Sequence, residues 1–212
     1  MTQLIACYSE RKRLHNDKLT KAMTFLKHET YSNFDNLLLV LGYNSKASRS
    51  PVYRILNKLL GSGFIQKKEF EFQAGKISIW GITELGLAQF IQSPDEDFRA
   101  FEPHRVKFLT LEHKLMNQKV QIYLQKNGWT DWQNADQYAF RRRYDIEHRP
   151  DAIINAPNGY TIAIETERTL KPVARYRSIF KSHILAKQKK YWSAVFYVVP
   201  NEGVKQLLNK RF

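Results

Sequence analysis

Residues 151–167 constrain this chain more than any other stretch. Asp151 to Asn155 and Tyr160 to Glu167 are apolar and β-branched runs on either side of Ala156-Pro157-Asn158-Gly159, a set of turn formers, and read as an antiparallel hairpin. Side chains alternate along a strand, so Glu165 and Glu167 share one face while Ile162, Ile164 and Thr166 share the other, which can pack into a core. Asp151 follows Pro150 on the partner strand, and the three carboxylates can converge. Convergent carboxylates are hard oxygen ligands for Mg²⁺ or Mn²⁺, and such an ion polarises a phosphodiester and orients water. A Glu-x-Glu pair alone is more often a solvated strand edge. Pro150-Asp151 on the preceding strand and a basic helix afterwards favour the metal site.

That basic helix spans Lys171 to Tyr191, with Val173, Tyr176, Phe180 and Ile184 as its expected apolar side. Arg168, Lys171, Arg175, Arg177, Lys181, Lys187, Lys189 and Lys190 fall in or beside it with no acid among them, so some of them are expected on phosphates. The apolar run Ala194 to Val199 reads as a strand, followed by a short terminal helix. Upstream, a long helix from His104 to Lys126 sets Phe108, Leu111, Leu115 and Ile122 on one side and carries Glu112 and His113 as accessory residues. Strands are expected around Trp132 and over Gln137 to Arg143; in the latter, alternation would send Arg142 to one face and its arginine neighbours to the other. Helix, strands, helix and strand make an α/β layered domain over residues 104–212.

Residues 1–92 follow a different pattern. A helix over 11–29 and a second one capped by Ser32 or Asn33 and ended by Gly42 precede the polar turn Asn44 to Ser50. Pro51 then starts a helix whose Val52, Ile55, Leu56, Leu59 and Leu60 form an apolar stripe. Its other side carries Tyr53, Arg54, Asn57 and Lys58, with Arg49 just ahead, a mixture suited to both phosphates and base edges. Phe64 to Phe72 and Lys76 to Ile82 are two strands around Gln73-Ala74-Gly75, with a short helix from Thr83 to Ile91 after them. Helix, turn, helix and hairpin compose a winged helix. The polar, acidic stretch 93–103, bracketed by Pro94 and Pro103, reads as the linker.

Charge points to a polyanionic partner. The chain carries a formal charge of +14, with 13 basic and 7 acidic residues in 1–92 and 21 and 13 in 93–212, so both parts can meet a phosphate backbone. Cys7 is the only cysteine, which excludes an internal disulfide or a cysteine zinc cluster and fits a reducing cytoplasm. No apolar run approaches the roughly 20 residues of a membrane span. The histidines at 15, 28, 104, 113, 148 and 183 show no His-x-His grouping, so a tyrosine-nucleophile mechanism with a histidine-held metal lacks support.

Asp151, Glu165 and Glu167 resemble the PD-(D/E)xK nuclease signature, with Glu167 standing where that superfamily usually has lysine. The resemblance implies that the missing lysine, which positions or activates the attacking water, is either replaced or lost; Lys171 is the candidate replacement. Ile164-Glu165-Thr166-Glu167, Lys171, Arg175-Tyr176, Ile179-Phe180 and Val195 to Val199 together resemble the MobC-type mobilization relaxases and replication-relaxation proteins, which join a winged helix to such a domain. The resemblance implies an α+β chain that binds double-stranded DNA at a plasmid or mobile-element transfer origin and nicks one strand, with an accessory mobilization protein as a further partner. Asp151 and Glu165 would be metal ligands, Glu167 ligand or base, and Lys171 the activator. Arg49, Tyr53, Arg54, Asn57, Lys58, Arg142, Arg168 and Arg175 would contact DNA. The alternatives are a non-catalytic DNA-binding regulator and an accessory subunit that recruits another nuclease.

Overall fold

The computed structural model describes residues 7–43, 49–72, 75–90 and 98–211. Among these residues the chain is a mixed α+β protein of eight helices with a three-stranded and a four-stranded sheet. It divides into two compact units, Met1–Leu111 and Glu112–Phe212. No helix among the described residues is long and apolar enough to cross a membrane.

The first unit runs α1 (Tyr8–Glu29), β1 (Tyr31–Asn33), α2 (Phe34–Val40), α3 (Arg49–Gly61), β2 (Ile65–Phe72), β3 (Gly75–Ile82) and α4 (Glu84–Phe90). Asn33 starts α2 as expected of a capping residue, its side chain accepting from the Asn36 N–H at 3.0 Å. Gly42 follows α2 at φ +82°, a conformation that glycine adopts at little cost. The expected turn residues 44–48, Gln73 and Ala74 lie outside the described residues. The sheet order is β1-β3-β2, all antiparallel, with Trp80 of β3 opposite Ser32 on one side and Lys67 on the other. Met23, Leu26, Leu37 and Leu56 of the helices and Ile79 and Ile82 of β3 are fully buried.

Residues 93–97 of the expected linker lie outside the described residues, but Phe101 belongs to the first unit's core and is 2% exposed. Its N–H donates to the Ile82 carbonyl and its carbonyl accepts from Gln66 Nε2, both at 2.7 Å. The ring lies so close to Gly81 that a Cβ there would fall 2.1 Å from Phe101 Cγ. A single 3-10 turn at Pro103–Arg105 follows.

The second unit takes most of α5 (Phe108–Lys126), then β4 (Thr130–Asn134), α6 (Tyr138–Arg143), β5 (Ala152–Asn155), β6 (Thr161–Thr166), α7 (Val173–Gln188), β7 (Ala194–Val198) and α8 (Glu202–Asn209). Strands β4, β5 and β6 are successive antiparallel neighbours, whereas β7 lies parallel to β6. A parallel return needs a crossover, and α7 provides it. The predicted hairpin forms with Ala152 opposite Ile164 and Ile154 opposite Ile162. These four residues pack against Val120 and Leu124 of α5, while Ile153 and Ala163 point the other way, into a cluster with Phe140, Tyr144, Ala186 and Trp192.

Two segments of this unit differ from the sequence expectation. Gln137 to Arg143 is not a strand: α6 follows directly on Gln137, and Phe140 and Tyr144, one helical turn apart, bury together with ring centroids 4.5 Å apart. Periodicity does not separate helix from strand in so short a segment. On α7 the buried face is Tyr176, Ile179, Ser182, His183 and Ala186, whereas Val173 and Ile184 are exposed. The helix is turned so that polar groups face inward, because a carboxylate lies beneath it.

Candidate metal centre

That carboxylate is Glu165. It sits two residues after Ala163 and faces α7 in the same way, only 5% exposed. Its Oε1 is 2.8 Å from Nε2 of His148 and 2.9 Å from Nε2 of His183. His148 comes from the segment leading into β5 and His183 from the inner face of α7. Ser182 fixes the first of these, since its Oγ accepts from the His148 N–H at 3.0 Å and donates to the His148 carbonyl at 3.3 Å. Neighbouring residues of one helix thus anchor one histidine and supply the other. The two imidazoles meet edge to face, 5.6 Å between centroids, and Trp192 packs on His183 at the same distance.

Burial alone would raise the Glu165 carboxyl's pKa, but the hydrogen bonds from His148 and His183 outweigh it and hold the group below its usual value. His183 Nδ1 is buried without a hydrogen-bond partner among the described residues. The tautomer with its proton on Nε2 leaves only an acceptor unsatisfied, which costs less than burying an N–H. Among the described residues, His148, Glu165 and His183 are the group whose potential ligand atoms all lie within 4.8 Å of one another.

The other acids at this end of the hairpin have partners of their own. Asp151 Oδ2 accepts from the Thr166 N–H at 2.6 Å, and Asp151 Oδ1 lies 2.8 Å from His113 Nε2. This bond to Asp151 raises the His113 pKa against the opposing effect of burial. Glu167 is 3% exposed and both its oxygens accept from Lys171 Nζ, at 2.6 and 2.5 Å. Glu112, the other accessory residue, pairs with Arg168. Tyr197, level with Glu165 on β7, has its phenol pKa raised by burial and by the nearby charges of Glu165 and Glu167.

Of the residues expected on DNA, Arg49, Tyr53, Arg54, Asn57 and Lys58 all lie exposed on α3. Tyr53 is braced by the Phe34 ring at 4.5 Å. Arg142 is exposed in the last turn of α6 and Arg175 in the first turn of α7. Beside α3 the structure adds residues that the sequence reading passed over: Arg11, His15 and Lys18 of α1 join Arg54 around a pocket of about 320 Å³. Burial and the neighbouring Lys58, Arg54 and Lys18 lower the His15 pKa.

Sequence reasoning also passed over His148 and His183 as a pair, since 35 residues separate them. The available signal was His183's spacing on the stripe of Tyr176, Ile179 and Ala186, a polar residue at a core position. Comparison of the chain with protein-family models, with curated proteins and with solved structures gave no match.

Proposed function

We propose that this protein binds double-stranded DNA through its first unit and nicks one strand with a PD-(D/E)xK-like second unit, at a plasmid or mobile-element transfer origin. The observation that carries this reading is the Asp151 carboxylate accepting from the N–H of Thr166, the residue between Glu165 and Glu167. Asp151 thus reaches β6 between the other two acids, but the three carboxylates do not lie within 4.8 Å of one another, so a bound ion would have to draw them together.

The element orders support the same reading. Helix, strand, two helices and a hairpin, with sheet order β1-β3-β2, fit a winged helix in which α3 is the recognition helix. A helix, an antiparallel three-strand meander, a crossover helix and a parallel fourth strand fit the nuclease core. Arg49, Tyr53, Arg54 and Asn57 then read the site, while Lys58, Arg11, Lys18 and Arg54 hold backbone phosphates.

The donor set suits a divalent cation, since carboxylates from adjacent strands are hard oxygen ligands. Asp151, Glu165 and Glu167 would hold Mg²⁺ or Mn²⁺, which supplies Lewis-acid polarisation of the phosphodiester and a more acidic bound water. Lys171 does the work of the lysine absent at position 167, reaching the same carboxylate from four residues downstream. Arg168 and Arg175 line the approach of the scissile strand. The test is conversion of a supercoiled plasmid carrying DNA from around this protein's own gene to nicked circles with Mg²⁺ or Mn²⁺. Wild type should nick, and Asp151→Ala and Glu165→Ala should not.

One observation favours a second reading, a DNA-binding regulator without cleavage: Asp151, Glu165 and Glu167 each already have a basic partner within 3 Å. Intact DNA binding in a protein that nicks with neither metal would select it.

A further inference from the structure

We propose that His148, Glu165 and His183 form a site for a borderline transition-metal dication of the Zn²⁺ and Co²⁺ class, distinct from a Mg²⁺ site made of carboxylates. It shares Glu165 with the nicking reading but does not depend on cleavage.

The donor set carries the assignment. Two neutral imidazoles and one carboxylate suit zinc and its neighbours, whereas Mg²⁺ and Ca²⁺ select oxygen-only shells. In a tetrahedron with bonds of about 2.05 Å, ligand atoms stand roughly 3.3 Å apart. The Glu165 oxygen already lies 2.8 and 2.9 Å from the two nitrogens, so small outward movements open the site.

Binding through Nε2 moves the His183 proton to Nδ1, which is buried without a partner among the described residues, a cost that the metal bonds must outweigh. Ser182 holds His148 by both its N–H and its carbonyl, and Trp192 packs on the His183 ring. Glu165 is 5% exposed and His183 also 5%, so neither side chain is there for solubility. Entry is provided because His183 lines an open pocket of about 490 Å³ with Phe180, Lys187, Trp192 and Ser193. Three protein ligands leave a fourth position for water or a phosphate oxygen, as in catalytic rather than structural zinc sites.

The test uses the full chain, with Zn²⁺ affinity measured by competition against a chromophoric chelator and Co²⁺ followed by its visible spectrum. Wild type should bind one ion that excess Mg²⁺ does not displace. Replacing a second-shell group alone costs 10- to 100-fold in metal affinity, so His148→Asn and His183→Asn should each weaken Zn²⁺ binding by more than about 100-fold. Asp151→Asn should leave it within about threefold, because that side chain lies outside the site. Pulsed electron paramagnetic resonance on Cu²⁺-loaded wild type needs no variant, and should report coupling to two imidazole nitrogens. Zn²⁺ affinity that survives both histidine substitutions, displacement by Mg²⁺, or a Cu²⁺ signal without two nitrogens would overturn the assignment. Nicking reads separately: if it fails in wild type while Zn²⁺ binds through the histidines, the nuclease reading falls and this site stands.

Discussion

Lys171 sets its ammonium nitrogen against both carboxylate oxygens of Glu167, at 2.6 and 2.5 Å, across one turn of chain between β6 and α7. The carboxylate is almost fully buried and the lysine is about a third exposed, so the pair closes the end of the sheet while leaving the amine within reach of solvent.

Lys171→Met should therefore separate two effects. Loss of a charged hydrogen-bond partner from a buried carboxylate should lower unfolding free energy by about 1–3 kcal/mol. If Lys171 activates water as proposed, its loss should lower nicking by about 100-fold or more at temperatures where the fold persists. Urea unfolding and single-turnover nicking on one preparation check both; unchanged nicking would remove Lys171 from the site.

On α3, phosphate and base contacts should respond differently. Lys58→Ala should weaken all sequences alike and reduce the slope of log affinity against log salt by about 1. Asn57→Ala should relax preference for the bound site by about 1–3 kcal/mol with little change in salt slope. Fluorescence anisotropy on matched and scrambled duplexes distinguishes these outcomes.

His15 gives a pH dependence whose sign is fixed. In the free protein, burial and the cations Lys58, Arg54 and Lys18 favour the neutral ring. A phosphate seated in the pocket reverses the field and favours the protonated ring, so DNA binding takes up a proton. Affinity should rise as pH falls from the raised bound pKa toward the lowered free one, and His15→Gln should flatten that limb. An affinity that is independent of pH in wild type would contradict phosphate binding at this pocket.

Phe140 tests the corrected reading of α6. It is 3% exposed in the cluster with Ile153, Ala163 and Trp192, so Phe140→Ala should cost about 3–5 kcal/mol in unfolding free energy. Arg142 is exposed on the same helix, and Arg142→Ala should change it by less than about 0.5 kcal/mol.

Local features were legible in the amino-acid sequence. The Asn33 cap, the α3 stripe and the hairpin ending at Glu165 and Glu167 depend on neighbours within a turn or a strand pair, where residue type determines conformation directly. That local pattern also places Glu165 and Glu167 on one face of β6, with Asp151 just before β5. The histidine pair was not legible, because His148 and His183 meet only after α7 has crossed back over β6. The inner face of α7 was misjudged for a related reason. Counting apolar residues favours Val173 and Ile184, but a buried Glu165 needs polar partners and turns Ser182 and His183 inward. Phe101 was read within a polar linker because its neighbours are acidic, while its ring and backbone belong against Gly81 and Ile82.

The most direct measurement of the central claim is the rate at which a supercoiled plasmid bearing the cognate site becomes nicked with Mn²⁺, for wild type, Asp151→Asn and Glu165→Gln, with DNA affinity measured on the same samples. Wild type should nick, both variants should lose at least about 100-fold, and DNA affinity should stay within about twofold, since α3 is untouched. Equal nicking by all three proteins, or none by a wild-type protein that binds the site, would contradict the claim.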